Sequence, residues 1–527
     1  NRQLHGFKAN YNFGNLSATG FYADDVEGFQ RDTIAPDGTS GLYFTSERQL
    51  VPGSEDIFIE LEELERPGTV LDRVPLTRGA DYEIDYDRGT ILFNDPVTRT
   101  AVDDFGQVLV RRIVTTYQHE DGQDTDILAG RLRYDLNTDQ GRESWIGASI
   151  LAEDQGTRDF TLYGADAQIA LGDNAQLTAE IAESSSDFEG SSNVSGTAYR
   201  VELNGDIGRR LSGQAYFRST DTGFTNNATT SFVPGQTRYG AQVTGRLTDT
   251  TALRAQYEHE DNKGTAPQVI TDLSDLLSGI NRPGAELDNS LTTYSLGLTQ
   301  QLGDASAEVD WIHRDRTDRL NNDTNLSSDQ IRSRLSVPLS RKLSLVAQNE
   351  INLSSNVDPI YPSRTLLGLN WEAMQGVNVG LNQVFYGGGG NNRGSYTSLD
   401  VTGEHTFASD TTLRGRFSTI DGRQLGGSIG LEQGITLAPG LNLDLGYEKV
   451  FTTFGNETAA STQFSQPFAT GTGASALGLS GGESYSVGLA YTDNPDFQAS
   501  TRFEHRNSSQ SSNTVFDLSA VGRVSPA

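Results

Sequence analysis

The chain has 527 residues, no cysteine, a net charge of −30 and only 35% hydrophobic residues, with a mean hydropathy of −0.47. These values exclude disulfide and thiolate-metal chemistry, argue against nucleic acid and anionic lipid headgroups as partners, and leave too few apolar residues for several compact soluble domains. No run of about 18 apolar residues exists, which rules out a transmembrane helix, and the regular spacing of 19 Tyr and 23 Phe is unlike a disordered chain.

Asn1 opens no signal-peptide pattern, as expected of a mature or trimmed chain. Phe7, Ala9, Tyr11 and Phe13 then alternate with Lys8, Asn10 and Asn12. Successive strand side chains point to opposite faces, so this is a strand with one greasy and one wet face. Gly14-Asn15 turns the chain, and Leu16, Ala18, Gly20 and Tyr22 form the return arm. Alternation stops at Asp24 and resumes near Leu128.

Residues between them follow another plan. Ile57, Ile59 and Leu61 alternate with Phe58, Glu60 and Glu62, and Pro67-Gly68 predicts a turn. Asp81 to Tyr86 is a strand, Asp87-Arg88-Gly89 a turn, and Thr90 to Phe93 its partner. Val108 to Tyr117 is a strong β-forming run that would complete a small sandwich. We read 23–127 as an inserted Ig-like β-sandwich module with its core at 41–119, residues 1–22 as a first barrel hairpin and 128–527 as the remaining barrel strands.

Val51-Pro-Gly-Ser-Glu55, Leu76-Thr-Arg-Gly-Ala-Asp-Tyr82 and Ile84-Asp-Tyr-Asp-Arg-Gly-Thr-Ile-Leu-Phe93 resemble a module of large bacterial outer-membrane and cell-surface proteins. Among these are the SprA-type barrel translocons of type IX secretion and gliding. The resemblance implies an envelope setting for the inserted segment and does not fix the activity of the parent chain.

From Leu128 the two-faced pattern is steady. Tyr163, Ala165, Ala167, Ile169 and Leu171 share one parity, Gly172-Asp173 turns the chain, and Ala175, Leu177, Ala179 and Ile181 return. With the opening hairpin this makes about 23 arms of roughly 9–11 residues, the length a tilted membrane strand needs. Alternate connections are short (172–173, 208–209, 248–250, 303–304, 340–341, 493–495), and the others are mostly long and polar (184–195, 220–236, 261–290, 316–328, 353–363, 451–483). Short turns on one side and long loops on the other follow the plan of outer-membrane barrels, with the long loops outside the cell. All short turns fall on one side only if Tyr22 and Leu128 belong to consecutive barrel strands, which places the module in a long, outward-facing loop. The same count leaves a strand expected before residue 1, and the last arm lacks a terminal aromatic. The expected fold is therefore all-β, a transmembrane antiparallel barrel of about 24 or more strands with one inserted sandwich module.

The wet parity carries repeated charges: Arg131, Arg133, Asp166, Gln168, Glu180, Arg200, Glu202, Arg254, Glu258, Glu308, Asp310, Arg332, Arg334, Arg414 and Arg416. They could tune a pore or simply pair across strands on a solvated wall. Trp145, Trp311 and Trp371 fit an interfacial aromatic girdle, with strand packing as the plainer reading. No two of the six histidines have ligand spacing, so no metal site is expected. Acidic clusters at 121–126 and 315–323 could hold calcium but lack EF-hand spacing. Thr271 to Leu277 suggests a capped helical turn inside a long loop. Gly387 to Gly390 lacks the context of a phosphate cradle, and no nucleophile elbow or other enzyme signal is present.

The sequence thus predicts an outer-membrane conduit for transport or protein translocation, not an enzyme, with no cofactor. Its expected partners are outer-membrane lipid and a plug or a periplasmic or surface protein, since so wide a lumen would otherwise leak. The alternative is a surface-structural or adhesive protein whose barrel anchors the module and loops.

Overall fold

A computed structural model of the chain describes residues 6–522 except 26–27, 35, 37–40, 64–65, 80, 94–96, 98–99, 103–107, 120–124, 155–157, 189–192, 209, 226–233, 268–282, 322–324, 356–360, 388–394, 408, 423, 453–481, 495 and 509–511. The expected helical turn at 271–277 and glycines 388–390 of the Gly387–Gly390 run lie outside these residues.

The chain opens with β1 (Gly6–Phe13) and β2 (Leu16–Asp25). Eight strands follow: β3 (Gly28–Ile34), β4 (Gly41–Phe44), β5 (Asp56–Glu63), β6 (Arg66–Pro75), β7 (Tyr82–Asp85), β8 (Thr90–Phe93), β9 (Thr100–Val102) and β10 (Val108–His119). Next come β11 (Thr125–Asn137), β12 (Ser144–Asp154), β13 (Arg158–Ala170), β14 (Ala175–Phe188), β15 (Val194–Ile207), β16 (Leu211–Thr220) and β17 (Gln236–Arg246). They continue as β18 (Thr251–Pro267), β19 (Pro283–Leu302), β20 (Ala305–Asp318), β21 (Leu326–Ser340), β22 (Leu343–Asn352), β23 (Ser363–Met374) and β24 (Val377–Gly387). The last seven are β25 (Tyr396–Thr406), β26 (Thr411–Ile420), β27 (Gln424–Ala438), β28 (Leu441–Thr452), β29 (Gly482–Asn494), β30 (Phe497–Ser508) and β31 (Ser512–Gly522).

The first two strands and β11 to β31 form one 23-stranded antiparallel sheet. Each strand pairs with its neighbour in sequence, and β2 pairs directly with β11, Tyr22 opposite Leu128. Ordinary hairpins explain this order. At Gly172 and Gly303 the backbone takes φ of 78° and 66°, a left-handed turn that glycine adopts without a Cβ clash. Connections at 155–157, 421–423 and 509–511 lie at the long-loop end but are as short as those opposite.

The sheet is inside out relative to a water-soluble one. Leu132, Ile146 and Leu296 stay 55%, 48% and 48% exposed, whereas Asp310 on the opposite parity is 1% exposed. The sheet curls so that its polar face lies inside. The outermost strands show greater exposure still, with Phe7 at 73% and Leu518 at 72%, because each has one neighbour in the sheet instead of two.

Two small sheets occupy Gly28–His119. β3, β10, β5 and β6 lie in that order, with β9 also on β10, and β4, β8 and β7 form the second sheet. Ile34, Ile57, Ile59 and Ile113 from the first share a core with Tyr43, Tyr82, Ile91 and Phe93 of the second. Tyr43 meets Phe93 edge-on at 5.5 Å between centroids, a favoured aromatic geometry. Beside this core Tyr117 donates to the buried Asp32 carboxylate at 2.7 Å. Ser46 donates to the same carboxylate through both its N–H and its hydroxyl, each at 2.7 Å. Burial first, and then the Asp32 charge, pushes the Tyr117 phenol above its ordinary pKa, so it remains a donor.

Three expectations change. Pro67-Gly68 is not a turn but part of β6. The pairing jumps there from Glu62–Val70 to Glu63–Arg66, skipping a proline that has no N–H for the ladder. The small core gains β3, ahead of residue 41. Within the expected loop 261–290 all the described residues are strand: β18 and β19 run 17 and 20 residues, well beyond the roughly 9–11 a membrane span requires. Arg319 clamps their extension, bonding Asp261 and Asp288 at 2.6 Å each.

Replacing Tyr117 with Phe should destabilise the small unit by about 1–3 kcal/mol, since a buried carboxylate loses a donor and the Glu47 N–H loses its acceptor. Limited proteolysis of the intact chain should then cut faster within 28–119 while the large sheet stays protected. Unchanged cutting would refute the assignment.

Candidate functional site

The period-two pattern turns all fifteen charged or polar candidates of the sequence reading to the inner face, and the structure joins most of them into clusters. At the first, Arg131 on β11 makes a bidentate bond to Asp166 on β13, at 2.6 and 2.7 Å. These strands are not neighbours, because β12 runs between them. The bridge passes over Gly147, where a Cβ would stand 2.9 Å from both the Arg131 Nη2 and the Asp166 Oδ1. Arg133 donates to Asp135 at 2.7 Å. Gln168 sits opposite Trp145 in the register.

Trp145 corrects an expectation. Its neighbours Ile146 and Ile150 face outward, so Trp145 faces inward. Arg131 and Arg133 lie 5.5 and 4.9 Å from its ring centroid, a cation–π arrangement. It therefore belongs to the inner wall and not to an outer girdle. Trp311 and Trp371 do face outward, 41% and 47% exposed.

A second cluster centres on Glu202, which accepts from Arg200 at 2.9 Å and from Arg218, while Arg200 also reaches Glu180 at 3.6 Å. A third holds Glu258 between the Arg238 guanidinium at 2.9 Å and the Tyr216 hydroxyl at 3.0 Å.

The fourth is the most enclosed. Asp310 accepts from Arg254 at 2.9 Å and from Arg332 at 2.8 Å. Arg254 also bonds Glu308 at 2.8 Å, and Arg334 lies 3.8 Å from Glu308 while donating to Gln348 at 2.8 Å. The Arg254–Asp310 bridge again spans a strand, β19, and again the intervening position is a glycine. A Cβ on Gly297 would lie 2.2 Å from the Asp310 Oδ1. Removing one partner of so buried a carboxylate uncovers its desolvation cost, so two arginines share the holding.

Arg414 lies between Glu404 at 3.1 Å and Glu432 at 3.2 Å. With Arg416 it lines a cavity of about 240 Å³ that also takes in Glu448, Arg502 and Glu504. The sequence reading missed those three, Glu404 and Glu432, together with Arg218, Arg238 and the Glu350–Arg364 pair at 2.9 Å, whose side chains are 2% and 5% exposed. Their wet parity was the available signal.

Of the acidic clusters, residues 121–124 and 322–324 lie outside the described residues. Asp315 pairs with His313 at 3.0 Å, and Asp318 accepts the N–H groups of Leu320 and Asn321. Among the described residues no group of three or more His, Asp or Glu side chains is arranged to hold a metal ion. What the described wall offers chemically is a polar, charge-compensated surface, ordered along several strands.

No known protein family and no curated protein matches the chain. Among solved structures it is similar to the siderophore receptor PirA of Acinetobacter baumannii, at 9% identity and a TM-score of 0.32, covering 94% of this chain and 87% of that one. The ferric enterobactin receptor PfeA of Pseudomonas aeruginosa gives 10% identity and a TM-score of 0.35, covering 87% and 75%. The P pilus usher PapC translocation pore gives 11% and 0.32, covering 82% and 94%.

Substituting Gly297 with Ala should force Asp310 away from Arg254 and cost about 1–3 kcal/mol, as overpacking does. Ser295→Ala, one step along the same face, should be close to neutral. Heat-dependent gel migration of the detergent-solubilised chain would compare their unfolding midpoints; equal midpoints would show that the glycine is no spacer.

Proposed function

We propose that the chain is an outer-membrane β-barrel that forms a conduit for transport or protein translocation. One observation supports it above the rest: an apolar face of Leu, Ile, Phe and Tyr turned outward along the strands, backed by an inner face of paired charges. Water on both sides would not stabilise such a sheet, whereas lipid outside and water inside matches both faces. The strands bond to one another, so no backbone group need meet lipid unpaired except at an open edge. The resemblance of the inserted segment to the module of SprA-type translocons supports the same envelope setting. The paired charges would keep the wall wetted and suit polar cargo.

Two measurements test this. Leu132→Arg or Leu296→Arg, on the outer face, should reduce folding into bilayers by about 2–4 kcal/mol near the midplane, while Thr178→Arg, between Gln168 and Glu202 on the inner face, should be tolerated. Equal tolerance at all three positions would count against a lipid-facing surface. In planar bilayers the chain should carry ion currents once its lumen is clear. Persistent silence after removal of any obstruction would favour the anchoring role instead.

A further inference from the structure

Two surfaces that ordinary packing would leave wet are sealed. In β10, Ile113, Thr115 and Tyr117 share the parity that packs on the three-stranded sheet. The other parity carries Arg112, Val114, Thr116 and Gln118, exposed by only 2%, 0%, 8% and 0%. A free two-layer unit buries one face of each sheet and gives the other to water. The second sealed surface is the inner wall of β22 to β25 toward the end that carries the inserted unit. Glu350, Leu366, Asn382, Val384 and Ser398 are 2%, 3%, 0%, 2% and 0% exposed there. A lumen bounded by more than about 20 strands is wide enough to hold water against such a wall unless something fills it.

Among the described residues, one side chain of the small unit is within electrostatic range of a named position on the wall. Arg111, near the start of β10, lies within electrostatic reach of Arg416 on β26. Burial first, and then the Arg416 charge, pull the Arg111 pKa down to about 10. The path between them constrains where the unit sits. β10 ends at His119 beside β11, the strand that returns the chain to the large sheet. Arg111 stands eight residues back from that point, about 26 Å along an extended strand. β12 to β25 lie between β11 and β26 in the sheet. Arg416 pairs with Thr402 and Ser428, four residues or about 13 Å below the nearer end of β26. A unit standing outside the rim would not reach that depth on a distant wall. One folded into the curl does.

We propose that the Gly28–His119 unit is the conduit's own plug, seated in the lumen against the inner wall at β26. This replaces the outward position that loop side alone suggests, and it rests on the conduit reading.

The native chain has no cysteine, so Arg111→Cys and Arg416→Cys together would introduce its only two thiols. In membranes, a bismaleimide spanning about 15 Å, chosen to bridge two arginine side-chain lengths, should link them within one chain. Arg416→Cys with Ser428→Cys, on paired strands, serves as the positive control. Replacing 28–119 by a short linker is feasible because Asp25 and Thr125 already pair; it should raise single-channel conductance at least tenfold. Failure of the 111–416 link while the control forms would overturn the plug and leave the conduit reading standing. Formation of the link with a silent deletion variant would overturn both, since nothing would then be plugged.

Discussion

The structure depends on one constraint: in a sheet whose backbone bonds are satisfied by neighbouring strands, side chains alone decide which solvent each face can meet. Every strand of the large sheet therefore carries one apolar and one polar row. In a soluble sandwich the apolar rows are hidden against each other. Here Leu132, Ile146 and Leu296 remain open to the outside, and the charged rows are enclosed. Reversing either row on a single strand would turn charge to the outer face and an aliphatic patch to the enclosed one. The same requirement accounts for the low overall hydrophobicity, since only one residue in two needs to be apolar.

Enclosing charges creates a second problem, which the wall meets by pairing. Ion pairs taken out of water return little net stability, while a single unmatched partner is costly. Asp310, Glu202 and Glu258 each receive at least two donors. The Arg131–Asp166 and Arg254–Asp310 bridges each skip a strand over a glycine, Gly147 or Gly297. Glycine in a strand interior usually weakens it. At these positions the missing side chain is the feature that lets an arginine reach a carboxylate two strands away.

Much of this was legible from the sequence. The Tyr163–Glu183 ribbon forms the hairpin its alternation predicts, with Gln168 opposite Thr178 and Tyr163 opposite Glu183, and Tyr22 does meet Leu128 across 105 residues of intervening chain. Other features were not legible, for physical reasons. Trp145 carries a hydrophobic label, but its ring stacks under two arginines on the polar face, so residue type alone misplaced it. The segment 261–290 is polar because its strands project beyond the apolar belt, and polarity was mistaken for loop. Pro67-Gly68 has turn chemistry, which a break in strand pairing can also accommodate. Arg364 and Glu350 sit fourteen residues apart with nothing local to announce their pairing.

What the sequence determined by itself was parity: which residues face out, which face in, and where the hairpins turn. Those follow from the two-residue repeat of an extended strand and from turn backbones, both of which are local. The tertiary structure alone decided which arginine meets which carboxylate and where a glycine had to stand between them. These depend on twist and curl accumulated over many strands, a quantity that no short stretch of the chain encodes.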